Sequence, residues 1–139
     1  MQVNFKGGKY IDEGERLAKS VRKAGWDALR RLGFLVRSKA QQSISNEKGP
    51  SAAGTPPHTH PGRGKGQLPK SILYGTVDEG SPSIIIGPSV NVVGTVGRVL
   101  EEGGTRFNDK YQPRPFMAPA LAAEIGDLPG LLADKLANL

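Results

Sequence analysis

From Asp12 to about Ser45 the chain repeats apolar residues at helical spacing, and this run frames everything else. Leu17, Val21, Ala24, Ala28, Leu32, Leu35, Val36, Ala40 and Ile44 fall one, three or four residues apart. That spacing gathers them on one stripe of a helix. Asp12, with Glu15 three residues on, has the form of a capping box, so the helix is expected to start there. Arg16, Lys19, Arg22, Lys23, Arg30, Arg31, Arg37 and Lys39 lie mostly off the stripe. Gly25 and Gly33 each weaken a helix by about 1 kcal/mol relative to alanine, and so mark a kink or a close contact. Trp26 and Phe34 sit beside the stripe, and at least one of them is expected in the core.

The next segment has the opposite character. Ten of residues 46–69 are Gly or Pro, and its only apolar side chains are Ala52, Ala53 and Leu68. It cannot bury enough surface to fold alone, and is expected as a flexible loop that orders only against a neighbouring subunit. A strand pattern follows. Ser71–Val77 and Ser83–Gly87 flank Asp78-Glu79-Gly80-Ser81-Pro82, which reads as an antiparallel hairpin. Ile84, Ile85 and Ile86 in succession imply burial on both faces, or one face on the core and the other on a partner. Residues 90–96 read as a loop or ragged strand, residues 97–102 as a short helix or strand, and Gln112-Pro113-Arg114 as an edge at most. Phe116–Ile125 reads as a helix with Pro119 in its first turn. A last turn or two begins at Leu128-Pro129. Val3 and Phe5 alternate with polar neighbours in a short strand pattern at residues 2–6.

The chain of 139 residues is the size of one domain, and the fold class is α+β. A long N-terminal helix and a C-terminal helix pack on a small antiparallel sheet, with the Gly/Pro-rich loop between. Without cysteine there is no disulfide and no thiolate metal site. No apolar run approaches the roughly 18–20 residues that span a bilayer. Residues 1–6 lack the apolar core of a signal peptide, so a protein made and kept in a cytoplasm is expected, with no membrane partner. Charge divides unevenly. Residues 1–70 carry fourteen cations and five carboxylates, net +9, whereas residues 71–139 carry five and eight, net −3. Opposite halves suit copies that meet head to tail. The basic half also suits nucleic acid, or a solvated helix face.

No catalytic constellation emerges, no cofactor is implied, and an enzyme is not expected. His58-Thr59-His60 offers two imidazoles but no third metal ligand nearby. Gly49–Thr55 has P-loop glycine spacing without the lysine. Gly62-Arg63-Gly64-Lys65-Gly66 is a flexible basic patch without aromatics for base stacking. Glu101 and Glu102 face different ways on either a helix or a strand, so they are not placed together for acid–base work. They read as surface charge or as partners for Arg98 or Arg106. Gly103-Gly104 reads as a chain reversal needing positive φ or close backbone approach.

Three motifs occur in a recognisable order: Gly66-Gln67-Leu68-Pro69-Lys70-Ser71-Ile72, then Leu100-Glu101-Glu102-Gly103-Gly104-Thr105, then Arg114-Pro115-Phe116-Met117-Ala118-Pro119-Ala120-Leu121. From about Trp26 to Leu139 the chain resembles the minor tail-component, or virion-morphogenesis, proteins of tailed bacteriophages, also called head–tail joining, neck or tail-completion proteins. The resemblance implies a structural virion protein, assembled in the host cytoplasm into an oligomeric ring at the head–tail junction or tail top. Its partners would be copies of itself, other neck, tail-terminator or tail-tube proteins, and genomic DNA passing non-specifically through the channel. Within that frame Trp26, Ile72, Glu101, Glu102, Gly103, Gly104, Arg114, Pro115 and Phe116 are assembly or structural residues. Pro113 and Pro115 stiffen the approach to Phe116, which plugs the sheet–helix junction. Arg30, Arg31, Arg37, Lys39, Arg63 and Lys65 are candidates to face DNA. The alternative is a small basic protein that binds DNA non-specifically.

Overall fold

The computed structural model describes residues 7–59, 67–78 and 80–139, with backbone alone for 7–12 and Asp78. The fold is α+β. Helix α1 (Gly7–Ser43) is 37 residues long, about 55 Å at 1.5 Å per residue. It is already under way at Asp12, so the Asp12–Glu15 pair lies inside the helix and does not start it. The strand pattern at residues 2–6 lies outside the described residues.

Ala24, Ala28, Leu32, Val36 and Ala40 form the buried line of α1, and Ile44, just past its end, continues it. Four-residue steps overshoot a turn by about 40°, so the line winds around the helix. Successive parts of α1 can therefore pack on different elements. Leu17 and Val21 continue the same stripe but are 61% and 46% exposed. Among residues 13–23 only Ser20 is even partly covered. The first turns of α1 thus form an arm that the rest of the described chain does not reach.

The hairpin pairs β1 (Ile72–Asp78) with β2 (Pro82–Pro88) in antiparallel register, Tyr74 opposite Ile86 and Thr76 opposite Ile84. It passes so close to α1 that a Cβ on Gly33 would lie 2.4 Å from Ile84 Cδ1 and 2.9 Å from Tyr74 Cδ2. Gly33 therefore marks a close contact. The expectation for the aromatics fails: Trp26 is only half-buried and Phe34 is 46% exposed. Phe34 follows Gly33 by one residue and points about 100° away from the hairpin, where it lies under the Arg31 guanidinium. Ile84 and Ile86 are partly buried, whereas Ile85 between them is 67% exposed. The alternation rules out burial of both faces within the chain: one face lies on the core and the other is uncovered.

A second ladder is separate from the first. β3 (Gly104–Arg106) pairs with β4 (Asp109–Tyr111), so there are two small sheets where one was expected. Gln112-Pro113-Arg114 follows β4 without joining either ladder. Phe107 and Asn108 form the two-residue turn with φ of 49° and 67°, a left-handed pair suited to strand twist.

Short helices replace the expected loops. α2 (Gln67–Ser71) leads into β1. α3 (Val90–Val93) occupies the region read as a loop or ragged strand, and α4 (Val96–Glu102) gives residues 97–102 the helical one of their two readings; Gly94 at φ 59° divides the two helices. The glycine splits the valine-rich run into a single turn of four residues and a helix of seven, so it never acquires the length of a strand. Gly97 is buried, and a Cβ there would sit 2.3 Å from Pro88 Cγ and 3.0 Å from its Cβ. A proline ring cannot move aside as a flexible side chain does. Gly97→Ala should therefore cost about 1–3 kcal/mol despite alanine's better helix propensity. An unchanged denaturant midpoint would remove this packing argument.

The chain closes with α5 (Met117–Glu124), a 3₁₀ turn (Ile125–Asp127) and α6 (Leu128–Ala137). Leu32, Val36, Ala40, Ile44, Ile72, Phe116 and Ala120 form the core. Leu68, Ile86, Leu100, Met117, Leu128 and Leu131 pack at its edge.

The glycine- and proline-rich segment is not free in its first part. Ser45 and His58 form a parallel bridge. The Thr59 backbone N–H donates to the Ser45 carbonyl at 2.8 Å, and its hydroxyl donates to Asn46 Oδ1 at 2.6 Å. Ser51, Pro57 and Thr59 are buried. Residues 46–59 thus dock on their own chain, because backbone and hydroxyl hydrogen bonds supply what apolar side chains do not. Arg63 and Lys65 lie outside the described residues, as does His60.

Candidate functional site

The residues of the second and third motifs meet in space. Phe116 is the N-cap of α5 but has no capping side chain. The first amides of a helix lack partners within it. Pro119 has no N–H to satisfy, which leaves those of Phe116, Met117 and Ala118. All three donate to Glu101, at 2.9 and 3.0 Å to Oε2 and 2.7 Å to Oε1. A carboxylate at a helix N-terminus also meets the positive end of the helix dipole. Glu101 is therefore a long-range cap, and the surface-charge reading of it is wrong. Glu102 lies about 100° around α4, points outward and pairs with Arg98 at 3.1 Å, with both side chains largely exposed. The surface reading holds for Glu102.

Gly103 holds this geometry. It has φ 76°, and a Cβ would come within 3.1 Å of the Tyr111 carbonyl oxygen and 3.0 Å of Pro113 Cδ. Its N–H closes α4 onto the Val99 carbonyl at 2.8 Å. Gly104 is also left-handed, with φ 131°. Beyond the turn, Arg114 Nε donates to the Ser51 carbonyl at 3.0 Å, and the Gly54 N–H donates to the Pro113 carbonyl at 2.8 Å. Arg114 thus fastens the 46–59 loop to the C-terminal half. Pro115 then enforces an extended Arg114 and delivers Phe116 to the core, where it is 1% exposed. Ile72, wholly buried, belongs to the same core. Trp26 stands apart from this group on α1.

A cleft of about 680 Å³ opens beside the anchor, lined in part by Ser51, His58, Leu100, Arg106, Tyr111 and Arg114. His58 Nδ1 lies 3.1 Å from the Gly49 carbonyl, so the ring orders the loop. Among the described residues no three His, Asp or Glu side chains gather as a metal site. Of the candidate DNA-facing cations, Arg30 is exposed and 3.4 Å from Asp27, Arg31 covers Phe34, and Lys39 is exposed. Arg37 is partly buried, with its Nε unpaired. These four do not share a face. Sequence reasoning missed the role of Glu101 and the anchoring by Arg114, because both partners are distant in sequence. The prolines and the paired glycines were the legible signals.

Compared with models of known protein families, with curated proteins and with solved structures, the chain matches none. The geometry defines a small α+β protein whose motif residues hold its parts together. Among the described residues, no helix is long and apolar enough to cross a membrane.

Proposed function

We propose that this protein is a structural component of a tailed-phage virion, one subunit of an oligomeric ring at the head–tail junction or tail top. In that place it helps complete the tail and join it to the head, with DNA passing through the ring. The observation that carries this reading is a pair of unlike apolar surfaces left uncovered on one chain. One is the arm of α1, with Leu17 and Val21 exposed. The other is the outer face of the β1–β2 hairpin, with Leu73 at 49% and Ile85 at 67% exposed. A ring is built from such heterologous contacts, in which one patch of each copy meets a different patch of the next. The opposed charges of the two chain halves favour the same pairing. The Glu101 cap adds support, because it makes one physical unit of two motifs that carry the phage resemblance.

The test is native mass measurement, alone and with candidate connector or tail proteins. The wild-type chain should form, or enter, a discrete oligomer. Leu17→Asp and Ile85→Asp should each abolish it while leaving the fold intact, since both side chains are exposed. Mixing the two variants should restore a dimer, because one intact arm then meets one intact hairpin face. A wild-type protein that stays monomeric under all these conditions would sink the proposal.

A further inference from the structure

We infer that α1 binds the phosphate backbone of duplex DNA through one basic stripe, formed by Arg16, Lys19, Lys23, Arg30 and Arg37. The inference deepens the channel role above, but the stripe alone carries it. At about 100° per residue these five positions fall within a sector of about 60°. The spacing is three, four, seven and seven residues, so the sector runs straight along the helix. From Arg16 to Arg37 it extends about 30 Å, close to one turn of duplex. Arg16, Lys19, Lys23 and Arg30 are exposed, and Arg37 is half-buried at the end nearest the hairpin.

Carboxylates are few along the stripe and gather at its first turn. Between Arg16 and Ser43 the chain has eight cations and one carboxylate, Asp27, while Glu13 and Glu15 stand just ahead of Arg16, with Glu15 four residues before Lys19. Asp27 stands 3.4 Å from Arg30, with the arginine exposed and the aspartate about a third exposed, a weak surface pairing that DNA phosphates can replace. Trp26 and Phe34 border the stripe, one half-buried and the other 46% exposed. They offer flat surface beside the cations. Leu17 and Val21 lie about 160° around the helix from Lys19 and Lys23. The arm can therefore give its apolar side to a neighbouring copy and its basic side to nucleic acid at once. Lys39 falls on the opposite side, about 180° from Arg30, and does not belong to the stripe.

The contact is electrostatic and reads no bases. Five neutralised phosphates give a log–log salt slope of about −4.5. The test is titration of the full chain with a labelled duplex of arbitrary sequence, between about 50 and 200 mM salt. Arg16→Gln/Lys23→Gln/Arg30→Gln should flatten the slope by about 2.7 and weaken binding more than tenfold at about 100 mM salt. Lys39→Gln/Lys110→Gln/Lys135→Gln removes the same charge from exposed positions elsewhere and should leave the slope within about 1 of wild type. Equal losses in the two variants would overturn the stripe in favour of bulk charge. No wild-type binding, salt-independent binding, or a clear preference for duplex RNA would overturn it as well. In each of these cases an intact oligomer in the mass measurement leaves the neck reading standing.

Discussion

Phe116→Ala is expected to destabilise the protein by about 3–5 kcal/mol. Phe116 is 1% exposed and, among the described residues, the largest fully buried side chain. It lies in the core cluster with Leu32, Val36, Ala40, Ile44, Ile72 and Ala120. Among the described residues no other aromatic belongs to that cluster or packs at its edge, so no second ring is at hand to fill the void. The loss combines transfer free energy with the cavity left behind, and α5 would lose its seat at the same time. For a chain of this size the melting temperature should fall by roughly 10–20 °C. Phe116→Leu, which keeps most of the volume, should cost well under half as much. Thermal or denaturant unfolding checks both, and a melt unchanged for the alanine variant would mean that Phe116 is not the plug.

Glu101→Ala should cost about 2–4 kcal/mol, whereas Glu102→Ala should change stability by less than about 0.5 kcal/mol. The residues are adjacent and chemically identical, so composition and local propensity hardly distinguish them. The difference lies in partners. Glu101 accepts from three backbone N–H groups at the start of α5. Its removal leaves those donors with water at best and removes the anion from the positive helix end. Glu102 has only an exposed pairing with Arg98. Glu101→Gln should fall between the two, because an amide keeps one acceptor oxygen and loses the charge. Equal melting temperatures for Glu101→Ala and Glu102→Ala would refute the cap.

The contrast shows how far local reading reaches. The helical stripe identified α1, and period-two alternation with a turn identified the β1–β2 hairpin, because backbone geometry sets both periods. Gly103 and Pro115 were legible for a similar reason: φ is restricted residue by residue. What escaped was contact at a distance. Leu17 and Val21 match the buried part of the stripe, yet no other described element extends to cover them. Residues 46–59 have the composition of an unanchored loop, yet Arg114 and Pro113 tie them down from the far half of the chain. Of the six cations singled out for DNA, the four on α1 were chosen by charge, and helical phase sorts them differently.

The sequence by itself determined the α+β class, the long amphipathic helix, the hairpin, the helix opening near Phe116 and the positive-φ turn at Gly103-Gly104. These follow from periodicity and from the allowed dihedrals of single residues. Only the tertiary structure decided which glutamate caps α5, that the 46–59 loop is held, and which apolar residues stay uncovered. Those outcomes depend on which distant groups come within hydrogen-bonding or van der Waals reach, and pairwise contact of that kind leaves no period in the chain.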